Sequence, residues 1–342
     1  MHMADALLSP AVGGGMYAVS VAAIAYSVKK IKKDDLGENK APLMAVSGAM
    51  VFAAQMINFT IPGTGSSGHI GGGILLAALL GPFAGMLAMS SVLIIQCLVF
   101  ADGGLLALGA NIFNMGVIPC LIVFPLIAKN IFSASPNKKR IWAGSVISAV
   151  ISLQLGAFSV VLQTTASGIA ELPFIAFALL MQPIHLAIGI VEGIVTAAIL
   201  TFVFAARPHI LTSNISHPAS HPNSGTERKA GSAKKIIVVF ACIAVVLAAG
   251  ISIFASEYPD GLEWSILNTA GTEALDAEGT VFSAFSNAQE RTAFIPDYES
   301  ADGEGTATPV AGIIGAVFVF VLAGIAALII RGVKKKNSHV IK

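Results

Sequence analysis

The chain consists largely of apolar segments long enough to cross a lipid bilayer, and this feature constrains its fold most. A membrane-spanning helix needs about 20 mostly apolar residues. The long apolar runs are Gly13 to Val28, Pro42 to Phe59, Pro82 to Phe100, Asn111 to Ala128, Ile141 to Ala166, Met181 to Ala206, Ile236 to Ala255 and Pro309 to Ile330. A further run, His69 to Leu80, is shorter and rich in glycine. We interpret it as a ninth crossing.

The composition agrees with a membrane protein and excludes other classes. Of the 342 residues, 55% are hydrophobic and 11% are charged, whereas a soluble domain has about 25% charged residues. A chain with so little polar surface is not a soluble enzyme or a disordered protein, and we expect no nucleic-acid partner. The three cysteines all lie in apolar runs, which argues against a disulfide framework.

The distribution of positive charge predicts the direction of the chain through the membrane. Cytoplasmic loops are enriched in Lys and Arg. With nine crossings, all but one of the 20 Lys and Arg residues fall on the same side. The exception, Arg291, lies in the segment 256–308, which carries eleven Asp and Glu residues. We therefore expect the N-terminus and this acidic segment outside the cytoplasm, and the C-terminus inside.

These observations predict an all-α integral membrane protein in two parts. Residues 1–207 form a seven-helix bundle with one short Gly-rich span. Residues 208–233, rich in Ser, Pro, Asn and His, form a flexible cytoplasmic linker. Residues 234–342 form an accessory transmembrane hairpin with an acidic extracytoplasmic loop, 256–308. No cleavable signal peptide is recognisable, because the first apolar run ends in Lys29-Lys30 as a membrane anchor does. We therefore expect Met1 to remain the N-terminal residue.

The N-terminus is a candidate metal ligand. A free α-amine on Met1, the backbone amide of His2 and the His2 imidazole can bind one cation in fused chelate rings. Planar nitrogen sites favour Ni²⁺ or Cu²⁺ over Zn²⁺ or Mg²⁺. Metal would displace the proton of the α-amine, whose reference pKa is about 7.7–8.0, so binding should weaken in acid. The alternative is a disordered terminus without a function.

His69 is a second candidate ligand, since it lies in the glycine-rich stretch from Pro62 to Gly73. Non-helical backbone at membrane depth occurs where it is buried in protein or lines a cavity. The predicted topology places His69 on the same side as Met1, so its imidazole could supply a fourth nitrogen. A hydrogen-bonded core histidine is the alternative, but together with His2 the pattern favours a ligand.

Four further polar residues lie in apolar runs. Gln55 and Asn58 are about one helical turn apart and could accept a hydrogen bond from a metal-bound histidine, although hydrogen bonds between helices explain them equally well. His185 and Glu192 lie seven residues apart on one helical face. Ionisable groups within the membrane are functional candidates, but for these two we favour a mutual or backbone hydrogen bond. Motifs for ATP hydrolysis, serine hydrolases and zinc proteases are absent from the sequence, so we predict no catalytic residues.

The sequence resembles the cobalt/nickel substrate-specific component of energy-coupling factor transporters. The segments that carry this resemblance are Met1 to Pro10, Phe52 to Phe59, Ser67-Gly68-His69, Asp102 to Asn111 and His185 to Gly193. The segment Pro259-Asp260-Gly261-Leu262-Glu263 resembles the signature of the small accessory subunit of the same systems. The resemblance therefore covers nearly the whole chain, with the accessory subunit fused at the C-terminus.

The resemblance implies a substrate-capture subunit for ATP-driven uptake of Ni²⁺ or Co²⁺. In the family, the α-amine, the second residue's amide and imidazole, and a loop histidine form a square-planar site, which corresponds to Met1, His2 and His69. The implied partners are two cytoplasmic ATPase subunits and a transmembrane coupling subunit, in the lipid of a prokaryotic cell membrane. The metal is the cargo, and no permanently bound cofactor is expected. The opening Met3-Ala4-Asp5-Ala6 departs from the family's usual Ile-Pro-Asp-Gly at the turn that folds the terminus inward.

Other functions fit the same composition. The chain could be a self-contained metal channel or exporter, or a membrane metal sensor, although the linker and short tails offer no output domain for a sensor. Nickel is favoured over cobalt because the ligand set is planar, with cobalt close behind.

Overall fold

The structure, a computed structural model, is predominantly helical and describes residues 2–34, 40–133, 137–215, 233–272, 275, 277–298 and 308–340. Met1, residues 216–232 of the predicted linker and parts of the acidic segment lie outside the described residues. In the first part of the chain, the α-helices are α1 Pro10–Asp34, α2 Lys40–Gln55, α3 Gly73–Leu80, α4 Pro82–Phe100, α5 Leu108–Ile112, α6 Lys129–Ser133, α7 Lys138–Ser167, α8 Phe174–Ala206 and α9 Pro208–Ile215. In the second part they are α10 Ala233–Ala249, α11 Gly261–Ala270, α12 Thr280–Glu290 and α13 Thr308–Val340.

Shorter elements connect these helices. The stretch Phe113–Ala128 between α5 and α6 is wound as a π-helix and contains Pro119 and Pro125. Proline lacks the N–H that the regular i→i−4 ladder requires, so the two prolines interrupt α-helical winding here. Single 3₁₀ turns occur at Asp5–Leu7, Ile251–Phe254 and Pro296–Tyr298. Strands β1 Phe59–Ile61 and β2 Ser66–Gly68 pair antiparallel, with Phe59 opposite Gly68.

Seven helical stretches within the described residues are long and apolar enough to cross a membrane. They are Pro10–Ile31, Pro82–Phe100, Leu108–Ser133, Lys138–Ser167, Phe174–Ala206, Lys235–Phe254 and Thr308–Gly332. The outer surface of these helices is apolar: Leu126, Ile175 and Leu179 are 66%, 71% and 68% exposed. Large apolar side chains on an outer surface are expected where lipid, not water, surrounds the protein.

The two remaining apolar segments form shorter helices. Helix α2 has 16 residues and α3 has 8. Every residue of α3 is buried, and the backbone before it approaches its neighbours closely. A side-chain carbon on Gly73 would lie 2.4 Å from Cγ of Pro119, and Gly72 has a positive φ of 78°, which glycine adopts without steric cost. The glycines therefore allow the chain to leave β2 and enter α3 inside the bundle.

The apolar run predicted to continue to Phe59 leaves its helix earlier. Helix α2 ends at Gln55, the amide of Ile57 turns back to the carbonyl of Ala54, and Phe59 already belongs to β1. Asn58 therefore lies beyond the end of α2, so it is not one helical turn from Gln55 as the sequence predicted. Hydrophobicity alone does not distinguish the end of a buried helix from the start of a buried strand.

The predicted linker also begins later than expected. Its first eight residues form α9, Pro208–Ile215, in which Ile210 and Leu211 are buried. The side-chain amide of Asn214 donates to the carbonyls of Ala78 and Leu79, at 3.1 and 2.9 Å. These carbonyls belong to the last turn of α3, where the helix itself supplies no donors. The α9 segment is therefore part of the bundle, because it caps α3.

The C-terminal hairpin packs directly against the first part of the chain. Helix α13 lies along α2 and α10, and small residues allow close approach. A side-chain carbon on Gly315 would lie 2.0 Å from the ring of Phe52, and one on Gly312 would lie 3.1 Å from Ala248. Close backbone approach through glycine is a common way for membrane helices to associate.

Candidate metal site

The N-terminal segment is inserted into the protein. Met3, Leu7 and Leu8 are at most 1% exposed. The backbone of Met3 pairs in both directions with the side chain of Asn111: its N–H donates to Oδ1 at 2.8 Å, and its carbonyl accepts from Nδ2 at 3.2 Å. The carboxylate of Asp5 accepts from the amide of Ala107 at 2.9 Å. These bonds fix the segment against the start of the α5 region and bring His2 inside.

Inside the protein, His2 lies against His69. The two imidazole rings are stacked, with centroids 5.2 Å apart and an angle of 20° between their planes. His69 follows β2, and its Nδ1 lies 3.1 Å from the carbonyl of Ile70. A carbonyl can only accept, so His69 carries its proton on Nδ1 and has a free lone pair on Nε2. The chain thus brings together two imidazoles that are 67 positions apart in the sequence.

A chain of hydrogen bonds sets the tautomer of His2. The side-chain amide of Gln55 donates to the carbonyl of Gly71 at 2.7 Å, and that of Gln96 donates to Oε1 of Gln55 at 3.0 Å. Oε1 of Gln96 lies 3.1 Å from Nε2 of His2. This series of hydrogen bonds ends at the carbonyl of Gly71, which can only accept. Each side chain in the series therefore donates toward Gly71, and His2 must donate from Nε2 to Gln96. The lone pair of the imidazole is therefore on Nδ1, the nitrogen that can close a chelate ring with the backbone amide.

The free nitrogen of His2 faces a carboxylate. Nδ1 of His2 lies 3.1 Å from Oδ1 of Asp102, and the His2 side chain is only 8% exposed. The other oxygen, Oδ2, accepts a hydrogen bond from the hydroxyl of Tyr298. A lone pair and a carboxylate oxygen at this distance repel each other unless a proton or another cation lies between them. Burial raises the pKa of Asp102, which is the direction expected when the carboxylate charge is desolvated.

Burial also keeps both imidazoles neutral. It lowers the pKa of His2 to about 3 and that of His69 to about 4, because the charged imidazolium loses its solvation. Neutral imidazole is the form that binds metal. At neutral pH both rings therefore have a lone pair available without first losing a proton.

The C-terminal hairpin covers this site from the side of the acidic segment. Asp260 accepts from the amides of Leu262 and Glu263, and the side chain of Glu263 accepts in return from the amide of Asp260, which forms a capping box at the start of α11. The residues before it reach the loop of His69: the hydroxyl of Ser67 donates to the carbonyl of Tyr258 at 2.7 Å. The motif that begins at Pro259 is thus placed directly beside the histidine loop.

A second set of contacts holds the loop of Asp102. The side-chain amide of Gln289 donates to the carbonyl of Gly103 at 2.8 Å, and the amide of Phe294 donates to the carbonyl of Val99 at 2.9 Å. Between the N-terminal segment and the hairpin remains a cavity of about 620 Å³, to which His2 contributes. Its acidic lining residues are Asp5, Asp102, Asp260, Glu263, Glu290 and Asp297. The cavity beside His2 is therefore lined by carboxylates.

Comparison with known proteins identifies the family of the chain. The family described as "Cobalt uptake substrate-specific transmembrane region" matches residues 2–210, and the PDGLE domain matches residues 234–332. The chain belongs to the cobalt uptake substrate-specific family. It carries a PDGLE domain in addition.

Relatives with the same two-part composition exist. The putative fused nickel transport protein NikMN of Archaeoglobus fulgidus is 33% identical, over 94% of this chain and 96% of that protein. The putative cobalt transport protein CbiM 2 of Methanocorpusculum labreanum is 32% identical, over 50% of this chain and 74% of that protein. The crystal structure of a truncated transition metal transporter is 29% identical, with a TM-score of 0.53, and covers 60% of this chain and 99% of that one.

The structure brings some of the predicted site residues together and separates others. His2 and His69 are in contact, and Met1 lies outside the described residues. Gln55 lies in the hydrogen-bond chain to His2, through Gln96 and not through His69. The side chain of Asn58 makes no hydrogen bond within the described part of the chain, and its carbonyl accepts from the amide of Ser256. Asn58 therefore contacts the hairpin and neither of the two histidines of the candidate site.

His185 and Glu192 are both buried in α8, and each bonds to backbone, not to the other. Nδ1 of His185 lies 2.7 Å from the carbonyl of Met181. The carboxylate of Glu192 accepts from the amides of Gly71 and Gly72, at 2.7 and 3.0 Å. Glu192 thus ties α8 to the loop that carries His69.

Sequence reasoning assigned no role to Gln96, Asp102 or Tyr298. All three contact the histidines or their partners from positions far away in the sequence, so no local spacing identifies them. The sequence did give one sign of Gln96, since it is a polar residue near the end of the apolar run from Pro82 to Phe100. Among the residues that the structure describes, no group of three or more His, Cys, Asp or Glu side chains could hold a metal ion.

Proposed function

We propose that this chain is the substrate-capture subunit of an energy-coupling factor transporter that takes up Ni²⁺ or Co²⁺. The ion binds to four nitrogens: the α-amine of Met1, the backbone amide and Nδ1 of His2, and Nε2 of His69. The observation that carries the proposal is the hydrogen-bond chain from Gly71 to His2, which leaves the lone pair on Nδ1. Planar nitrogen ligands favour nickel over cobalt.

The charges around the site support a cation as cargo. Asp102 faces Nδ1 of His2, so a bound divalent ion would take the place of the proton between them. The carboxylates that line the outer cavity raise the local concentration of cations. The names of the relatives, fused nickel transport protein and cobalt transport protein, point to the same two ions.

The transport cycle needs partners, because the sequence has no ATP-hydrolysis motif. Two cytoplasmic ATPase subunits and a transmembrane coupling subunit would reorient the loaded bundle so that the site opens inward. We propose nine crossings, the seven long helices together with α2 and the α3 segment, in the membrane of a prokaryotic cell. The N-terminus and the acidic segment lie outside, which places every Lys and Arg cluster inside.

A variant with three glycines inserted before Met1 tests the ligand set, because it displaces the α-amine and leaves every side chain in place. A single added residue would make His2 the third residue, where the amine, two amides and the imidazole form a new planar four-nitrogen chelate. We expect Ni²⁺ affinity in the purified full-length chain to fall at least about 100-fold, since two of four ligands are displaced. The matched control is three glycines added after Lys342, which should leave the affinity unchanged. Unchanged binding in the first variant would show that the amine is not a ligand.

Reconstitution distinguishes a capture subunit from a self-contained channel or exporter. In liposomes without partners, a capture subunit should bind Ni²⁺ and scarcely transport it. Transport that depends only on the Ni²⁺ gradient would contradict the proposal.

A further inference from the structure

A small cavity lies directly behind the two stacked histidines. It has room for about 10 Å³ and is lined by Gly68, His69, His185, Ile188 and Asp260, among others. About 10–15 Å³ is the space that one water molecule needs, so the cavity fits a single water or a single desolvated ion. Asp260 also lines the wide outer cavity of about 620 Å³, but neither His69 nor His185 does.

His185 presents an unused nitrogen to this cavity. Its side chain is 1% exposed, and its Nδ1 must donate to the carbonyl of Met181, which can only accept. The lone pair is therefore on Nε2, on the side of the ring away from the α8 backbone. Nε2 is buried and has no hydrogen-bond partner in the described part of the protein. Buried polar atoms without a partner are rare, and an ionisable side chain inside a membrane protein is a candidate for function.

His69 connects this cavity with the capture site. Its ring stacks on His2 on one side and lines the cavity of His185 on the other. Since Nδ1 of His69 is occupied by the carbonyl of Ile70, its free nitrogen is again Nε2. Two imidazoles, each with a lone pair on Nε2, thus line a cavity of ionic size.

The cavity continues toward the middle of the bundle. A neighbouring cavity, also with room for about 10 Å³, is lined by Glu192, Asn114 and Ser152. Gly71, Met115 and Leu153 line both. His185 and Glu192 lie on one face of α8, about 10 Å apart along its axis at 1.5 Å per residue. Polar groups therefore follow one another from His2 through His69 and His185 to Glu192.

We infer that His185 Nε2 and His69 Nε2 form a second, transient binding site for the transported divalent cation, between the capture site and the interior of the bundle. This inference rests on the proposed function for the identity of the ion. Imidazole nitrogens suit Ni²⁺ and Co²⁺, and two ligands bind less tightly than four. The ion can therefore leave the capture site without returning to the outer cavity.

Metal binding to the purified full-length chain tests the second site by itself. In the variant with three glycines before Met1, we expect a weaker Ni²⁺ site to remain. Adding His185→Asn should remove it, with a loss of at least about tenfold. Asparagine retains a donor for the Met181 carbonyl and lacks the second nitrogen. The control is His209→Asn in the same background, since His209 is exposed on α9 and should not change the residual binding.

The native terminus provides the complementary experiment. His185→Asn alone should leave tight Ni²⁺ binding within about threefold, because the four proposed capture ligands remain. If the weaker site is absent in the extended chain, or persists with His185→Asn, the inference is overturned. If instead the glycine extension leaves tight Ni²⁺ binding intact, the proposed function fails. In that case, a loss of Ni²⁺ binding in His185→Asn would still support the second site.

X-ray absorption of Ni²⁺ bound to the extended chain needs no substitution of His185 and so does not depend on the folding of that variant. Two imidazole ligands are expected, and a spectrum without imidazole would overturn the inference.

Discussion

At the scale of single residues, the candidate site depends on the neighbouring polar side chains, because their hydrogen bonds determine which nitrogen of His2 carries the proton. His2 is held as the tautomer with a free Nδ1 by Gln96 and Gln55, which themselves do not touch the proposed ion. Such outer hydrogen bonds orient metal ligands, and their loss typically costs 10–100-fold in metal affinity. The site therefore extends two side chains beyond the imidazoles.

Replacing Gln96 tests this arrangement. Gln96→Leu removes the acceptor for Nε2 of His2, so the proton can move to Nδ1 and bond to Asp102. We expect Ni²⁺ affinity to fall about 10–100-fold, measured by competition with a chelator of known affinity. Gln154→Leu is the matched control, because Gln154 bonds to the carbonyl of Gln182 between α7 and α8. Equal effects of the two substitutions would contradict the role of Gln96.

The pH dependence of binding follows from the same residues. Because burial lowers the pKa values of His2 and His69 to about 3 and 4, protons do not compete for the imidazoles above about pH 5. The α-amine, with a reference pKa near 7.7–8.0, and the amide must still lose their protons. Ni²⁺ affinity should therefore fall as the pH drops below about 8, by about tenfold per pH unit for each proton displaced. A single midpoint near the ordinary histidine pKa of about 6.5 would contradict this assignment.

At the scale of elements, the loop that carries His69 is held between helices from both parts of the chain. Helix α8 holds it through Glu192, and the segment before α11 holds it through Ser67. The loop has little regular structure of its own, since only the three residues Ser66–Gly68 form a strand. Its position therefore depends on these contacts, and a displacement of α8 would move His69.

Glu192→Gln should loosen this connection. A carboxylate accepts from both Gly71 and Gly72, whereas one side of a glutamine amide is a donor and would face an N–H. One hydrogen bond to a charged group is lost, which typically costs about 1.5–3 kcal/mol. We expect a lower thermal midpoint and weaker Ni²⁺ binding than in the native chain, measured by scanning fluorimetry with and without Ni²⁺. Gln154→Leu serves again as a control for general packing effects, and an unchanged midpoint in Glu192→Gln would contradict the connection.

At the scale of the whole molecule, the two parts of the chain form one site. The bundle supplies His2, His69 and Asp102, and the hairpin supplies Tyr298, which orients the carboxylate of Asp102. The three non-glycine residues with positive φ in the described chain are Ala101, Asp297 and Tyr298, and all lie at this contact. Such backbone conformations are costly and persist where the surroundings hold them. The hairpin is therefore packed onto the site and not only tethered beside it.

Labelling of single cysteines tests the proposed direction of the chain. In a background with Cys242→Ala, Asn287→Cys on α12 should react with a membrane-impermeant maleimide in intact cells. His209→Cys on α9 should react only after permeabilisation, since the positive clusters place α9 inside. Both positions are exposed, so a difference in reactivity reports the side of the membrane. The reverse pattern would invert the proposed topology and place the metal site inside.

The sequence by itself determined the class of the protein, since a chain with long apolar runs and 11% charged residues has no stable form in water. It also predicted the candidate ligands, because His2 lies beside Met1 and His69 is the only histidine in its glycine-rich stretch. These features depend on residues that are close together in the sequence, so their order and spacing are enough to recognise them.

Tertiary structure decided which polar groups meet. Gln96 and Asp102 reach His2 across about a hundred residues, and Tyr298 reaches Asp102 across nearly two hundred. Helical periodicity identifies the face of a helix but not the helix it packs against, and the end of α2 at Gln55 was hidden inside a longer apolar run. The placement of Asn58, the capping of α3 by α9 and the free nitrogen of His185 depend on packing between segments distant in the sequence. Their physical cause is the requirement that buried backbone groups find partners, which only the folded chain can satisfy.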